Sequence, residues 1–230
     1  FMFALAPMTS QAALVMTLDD LSTGGVDVVV LDNGAGDAFA LADVITYIGS
    51  AGGFNINVST GLGDAATPSL LGLDLNSVNT SLAAGTLRLT LTETDLSYGL
   101  AGSGLFTGLI GGTTTGAVNW SLLVDDNNVG GYGVGTVAMS GATIEPGAFS
   151  DTGSMTLPAS DPYALTLVVD ITHGISGGTT SLPSTSILST SGSILVPSRR
   201  QMVLLTLTRP SSIHSSAVRR LQRPACERYF

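Results

Sequence analysis

Hydrophobic residues recur at every second position along this chain. Phe54-Asn55-Ile56-Asn57-Val58-Ser59 alternates strictly, and Leu87-Arg88-Leu89-Thr90-Leu91-Thr92-Glu93-Thr94 does so over eight residues. Successive side chains of a strand point to opposite faces, so this pattern predicts strands with one buried and one wet face. Residues 26–31 are rich in Val and stop at the turn signal Asp32-Asn33-Gly34. Residues 117–124 run through Asp125-Asp126-Asn127-Asn128 into residues 132–139, which reads as a hairpin. Trp120 falls at an alternating position expected to face the core. One turn of helix is expected within residues 37–47. The uncharged, glycine-rich stretch 96–124 reads as a pair of strands, because it falls short of the ~20 predominantly apolar residues of a membrane helix. The expected fold class is all-β: a two-sheet antiparallel sandwich of jelly-roll or immunoglobulin-like type, with a closed barrel as the alternative.

The chain divides by composition. Residues 1–12 are a short apolar stretch ending in small residues, which reads as the remnant of a secretory signal with cleavage between Ala12 and Ala13. Residues 13–180 carry the β pattern. Residues 181–198 hold seven Ser, two Thr and two Pro and read as a linker. Residues 199–230 form a basic tail.

Charge sharpens this division. Sixteen of the 17 acidic residues lie within residues 1–198, beside a single base, Arg88, and the chain has no lysine. That stretch carries a net charge of −15, whereas residues 199–230 carry seven Arg and only Glu227. Affinity for nucleic acid comes from Lys and Arg at phosphates, so the acidic part is not expected to bind it. A solvated extracellular surface suits the composition. The lone cysteine, Cys226, allows no internal disulfide, so stability must come from a core.

Candidate chemistry is thin. His173 ends the longest expected strand and reads as a surface or strand-end residue; a hydrolase would have to recruit it as base, beside a carboxylate in a concave site. Gly111-Gly112-Thr113-Thr114-Thr115-Gly116 is followed by no Lys and no helix, so it does not make a phosphate loop. Two acidic loops offer oxygen ligands: Asp32, Asn33 and Asp37, and the cluster Asp125, Asp126 and Asn128. Calcium tolerates such loops, but Asp, Asn and Gly are also what turns are made of, and both readings stand. No other cofactor is expected. A sugar-binding module would need exposed aromatic rings, for which Tyr132 and Tyr163 are the candidates.

The order of segments carries a resemblance. Leu73-Asp74-Leu75-Asn76-Ser77-Val78-Asn79 and Ile110-Gly111-Gly112-Thr113-Thr114-Thr115-Gly116 are its most specific parts, over about residues 25–180. The chain resembles secreted bacterial PEP-CTERM proteins. The resemblance implies a signal peptide, an extracytoplasmic β-rich body and a C-terminal signal handled by an exosortase, in a Gram-negative bacterium that makes exopolysaccharide. It implies a non-enzymatic cell-surface or extracellular-matrix protein whose partners are extracellular polysaccharide, other surface proteins and the sorting enzyme; a calcium-assisted carbohydrate-binding module is the alternative. The family's Pro-Glu-Pro signal and apolar helix are absent here. Val196-Pro197-Ser198-Arg199-Arg200-Gln201 stands in their place. A one-base shift in a GC-rich gene would turn the family's opening into such an Arg-rich run, so the tail is read as disordered or out of frame.

Overall fold

A computed structural model describes residues 13–63, 72–96, 104–157 and 162–190. The expected signal segment with Ala12, and the basic tail, lie outside these residues. Ala13 leads directly into the first strand. The described residues form twelve strands: β1 (Leu14–Asp20), β2 (Val28–Leu31), β3 (Val44–Ala51), β4 (Phe54–Leu62), β5 (Asp74–Ser81), β6 (Gly85–Leu96), β7 (Gly104–Thr114), β8 (Ala117–Asp125), β9 (Thr136–Ser140), β10 (Gly147–Leu157), β11 (Tyr163–His173) and β12 (Gly178–Thr190). All pair antiparallel, in two six-stranded sheets of order β2-β1-β6-β11-β8-β9 and β10-β7-β12-β5-β4-β3. The all-β two-sheet sandwich is therefore the fold. Residues 37–47 hold no helical turn; they are a loop that bridges Leu41 to Val44 and enters β3.

The period-two pattern fills the space between the sheets. Leu14, Met16 and Leu18 of β1, Leu87, Leu89 and Leu91 of β6, and Leu165, Leu167, Val169 and Ile171 of β11 face inward from the first sheet. Phe54, Ile56, Leu75, Phe106, Ile110, Leu182 and Ile187 meet them from the second. Burying each such side chain contributes about 1.5–3 kcal/mol. Trp120 is in this core, as expected. It lies where Gly108 and Gly153 of the second sheet leave room, and its Nε1 donates to Asp151 at 2.8 Å.

The linker expected from residue 181 is corrected. Residues 178–190 form β12, between β7 and β5 near the middle of the second sheet. Thr180, Leu182, Thr185 and Ile187 are buried, so the segment contributes core despite its Ser and Thr content. β-Branched Thr fits a pleated surface. Pro183 is tolerated because it sits where the register breaks, between Leu182 and Ser186 against β5 and between Ser181 and Ser184 against β7.

Candidate functional site

Period two leaves the other half of each strand on the outer faces. On the first sheet, cross-strand register assembles a polar row: Asp19 of β1 opposite Arg88 of β6, Arg88 opposite Asp170 of β11, and Asp170 opposite Asn119 of β8. Below it Thr17, Thr90, Val168, Ser121 and Ser140 form a second row. Hydroxyl ladders continue both ways, with Thr86 to Thr172 and Thr92 to Thr166 each at 3.0 Å, and Thr17 bonded to Thr90.

Arg88 is the centre of this face. Its Nε and Nη2 donate to the two carboxylate oxygens of Asp170, each at 2.7 Å. This two-bond fork fixes the guanidinium plane. Hydrogen bonding to Asp170 pushes the Arg88 pKa further up. The Tyr132 ring lies over the guanidinium, 3.6 Å from Cζ to ring centre, and stays 56% exposed. On the β8 side of Asp170 the surface dips into a hollow of about 260 Å³, lined by Asn119, Trp120, Ser121, Ser140, Gly141, Val168 and Asp170. On the β1 side stands Asp19. Burial and, after it, the neighbouring Asp27 raise the Asp19 pKa, and its Oδ1 has no hydrogen-bond partner among the described residues.

The loop between β8 and β9 carries Tyr132 to this position. Asp125 is buried and accepts from the amides of Asn127 at 3.0 Å, Val129 at 2.8 Å and Gly130 at 3.2 Å. The Asn127 amide bond leads these in holding the Asp125 pKa below the usual carboxylate range, against the opposing effect of burial. Asn128, at φ 58°, exchanges two 2.6 Å bonds with Asp95. Gly130, Gly131, Gly133 and Gly135 all have positive φ, which glycine adopts without strain. Gly130 packs on Thr92 and Ala164, where a Cβ would come within 2.6 Å of the Thr92 methyl, and the Gly131 amide donates to Thr166 at 2.9 Å. The glycine-rich loop is thus a turn laid flat on the sheet.

Other expected residues fall elsewhere. Asp32 accepts from the Asn33 side chain and the Asp43 amide, each at 3.0 Å. Asp37 accepts from the amides of Asn33, Phe39 and Thr46 at 2.9–3.0 Å. Every carboxylate oxygen of this loop already holds a donor, which makes it a set of side-chain-capped turns. Asp125 and Asn128 are likewise spent on the β8–β9 loop. Among the described residues no three His, Cys, Asp or Glu side chains are grouped to hold a metal ion. Tyr163, expected on a sugar-facing surface, is 2% exposed and packs edge-on to Phe106 with ring centres 6.5 Å apart.

His173 ends β11 as expected but is 1% exposed, which corrects the surface reading. Ser81 Oγ stands 2.8 Å from Nδ1 and Thr180 Oγ1 stands 2.9 Å from Nε2. Ser81 donates its own proton to the Ala83 carbonyl at 2.9 Å, so it accepts from Nδ1–H. Thr180 then donates to Nε2 and accepts from Thr114 at 2.7 Å. This assignment makes the ring a neutral tautomer tying the two sheets together. The carboxylate a hydrolase would put on this ring is replaced by two hydroxyls in a closed core.

Arg88 and Asp170 were not singled out by motif. The available signal was charge: Arg88 is the sole base in 198 residues.

No protein-family model matches the sequence, and no curated protein does. Solved structures give distant likenesses. TmCBM61 in complex with β-1,4-galactotriose is 9% identical over 69% of this chain and 94% of its own, with a TM-score of 0.36. The K1 cleaved adhesin domain of Lys-gingipain from Porphyromonas gingivalis W83 is 12% identical over 75% and 96%, with a TM-score of 0.35. A mutant of the family 29 carbohydrate-binding module CBM29-2, complexed with mannohexaose, is 12% identical over 64% and 90%, with a TM-score of 0.27. At these scores function is left to the geometry of this chain's own residues.

Proposed function

We propose that this chain is a secreted, non-enzymatic β-sandwich that binds polysaccharide on the outer face of its first sheet. The carrying observation is the exposed Tyr132 ring, fixed on the Arg88–Asp170 pair beside a polar hollow. A sugar ring has an apolar C–H face and a rim of hydroxyls. Tyr132 offers a rigid apolar surface for the first, and Asn119, Ser121, Ser140 and Asp170 offer donors and acceptors for the second. Asp32 and Asp37 already accept backbone amides in their loop, so the reading is of binding without calcium, which the EDTA arm below tests. A place at the cell surface or in exopolysaccharide matrix fits the acidic, lysine-free body.

The test is a polysaccharide-binding panel with the full chain, with and without EDTA. Binding that survives EDTA and falls about tenfold or more in Tyr132→Ala is expected, the loss of a central aromatic anchor. Silence across the panel, or binding indifferent to Tyr132, would overturn the reading.

A further inference from the structure

Four strands end the two sheets, and one of these edges differs from the rest. They are β2 and β9 in the first sheet and β10 and β3 in the second. An unpaired edge is a template for another chain, and proteins blunt it with register breaks, lysine, proline or polar side chains. β3 and β9 each carry a register break against their neighbours. β10 pairs regularly, but the side chains it turns outward are Ser150, Thr152 and Ser154. β2 has no break against β1, and no proline or charge within Val28–Leu31. Just past it, the Asp32 amide donates to the Leu14 carbonyl at 3.2 Å. Alternate residues of an antiparallel strand bond the same neighbour. The backbone groups of Val28 and Val30 therefore face β1, and those of Val29 and Leu31 face the open side. Val29 and Leu31 are also more than half exposed. So are Val26 before them and Phe39 and Leu41 after them, on the loop that the Asp43–Asp32 bond ties to the end of β2.

We propose that β2 pairs with β2 of a second copy of this chain about a two-fold axis, which joins the two first sheets into one. One register suits both the backbone and the charges. Setting Val29 opposite the partner's Leu31, and Leu31 opposite the partner's Val29, brings the outward amides and carbonyls of both edges into hydrogen-bonding pairs. The Leu31 carbonyl already accepts from the Gly34 amide at 2.8 Å and has a second lone pair to offer. The four large side chains then meet on the outer face as cross-strand neighbours. In this register Asp27 falls opposite the partner's Asn33 and Asp32 opposite the partner's Val28, so no carboxylate is set directly against another. The contact is self-complementary, as a two-fold requires, and it closes at two copies. Five apolar residues at about half exposure offer roughly 400 Å² per copy, or about 800 Å² for the pair. The edge backbone and the polar rim bring this to the threshold of about 1,000 Å² for a specific interface, at its weak end. The charge of −15 on each body opposes the contact until salt screens it. A two-fold normal to the sheet leaves both Tyr132–Arg88 faces on the same side, so a polymer that binds one is offered the other.

The experiment is sedimentation velocity of the full chain over a concentration series from about 1 to about 500 μM, in low and in high salt. Monomer at the dilute end and dimer at the concentrated end are expected, with the dimer tightening in high salt. Val29→Lys puts a charge on each side of the axis and should weaken the dimer at least tenfold. Leu31→Glu should do the same from the neighbouring position and is read in its place if Val29→Lys fails to fold. Val137→Lys, at an exposed position on the β9 edge, should leave the dimer unchanged. The melting temperature of each variant, taken where the wild type is monomeric, should match the wild type, which separates loss of pairing from loss of fold. A chain that stays monomeric throughout, an assembly that grows beyond two copies, a dimer that loosens in high salt, or one unmoved by both β2 variants would overturn the proposal. No readout here involves a glycan, so the polysaccharide reading stands or falls separately.

Discussion

His173 makes the stability of this sandwich depend on pH in a window where few other groups titrate. Its ring is neutral in the fold, donating from Nδ1 to Ser81 and accepting at Nε2 from Thr180. Burial pushes its pKa below the ordinary value near 6.5. A proton added at Nε2 would face the Thr180 hydroxyl proton and break the chain to Thr114. The unfolded chain takes up this proton first as pH falls, so stability is full above about pH 6.5 and is lost below it. The limiting slope is about 1.36 kcal/mol per pH unit while the folded ring stays neutral. Between pH 7.5 and 5.5 this amounts to at most roughly 1.3 kcal/mol, or up to about 3–5 °C in Tm for a domain of this size. Thermal melts of the wild type and His173→Phe at pH 7.5, 6.5 and 5.5 measure it. The variant should be less stable at pH 7.5, having stranded two buried hydroxyls, but its melting temperature should lose the His-dependent slope. Subtraction of the two curves removes the contribution of His214. A wild-type melting temperature that is flat across the window, or an equal slope in His173→Phe, would refute the neutral buried ring.

Three further outcomes follow from the packing. Gly108→Ala would place a Cβ 2.7 Å from the Trp120 ring and 2.9 Å from Met139 sulfur; a loss of about 1–3 kcal/mol is expected, seen in urea melts followed by the single tryptophan. Arg88→Met leaves Asp170, whose side chain is only 24% exposed, without its partner; a loss of roughly 1–3 kcal/mol is expected, and Arg88→Met with Asp170→Leu should recover much of it in a double-mutant cycle. Asp125→Ala frees three backbone amides that Asp125 now holds; limited proteolysis should cut residues 126–135 faster, and stability should fall by about 1–3 kcal/mol. Because the Asp125 pKa is depressed in the fold, its share of stability is present above about pH 4 and disappears as pH falls below that.

The sequence by itself determined that this chain is all-β, and largely which side of each strand is inside; that the strands form two open sheets and no closed barrel came from their pairing. Leu87, Leu89 and Leu91 against Arg88, Thr90 and Thr92 state the two faces of β6 without reference to any other segment, because strand side chains alternate whatever the partner. One place misled it. β12 is written in Ser, Thr and Pro, the composition of a linker, and only its position between β7 and β5 buries Thr180 and Thr185. The Asp-rich loops carry residue types shared by calcium shells and turns, and it is the tertiary structure that shows Asp32, Asp37 and Asp125 each accepting backbone amides. The face built on Arg88, Asp170 and Tyr132 was hidden for a different reason. Arg88 and Asp170 are 82 positions apart and Tyr132 lies between them in sequence. Their meeting depends on β6 and β11 pairing in one register and on a loop pinned by Asn128, which are long-range pairings that no local pattern encodes.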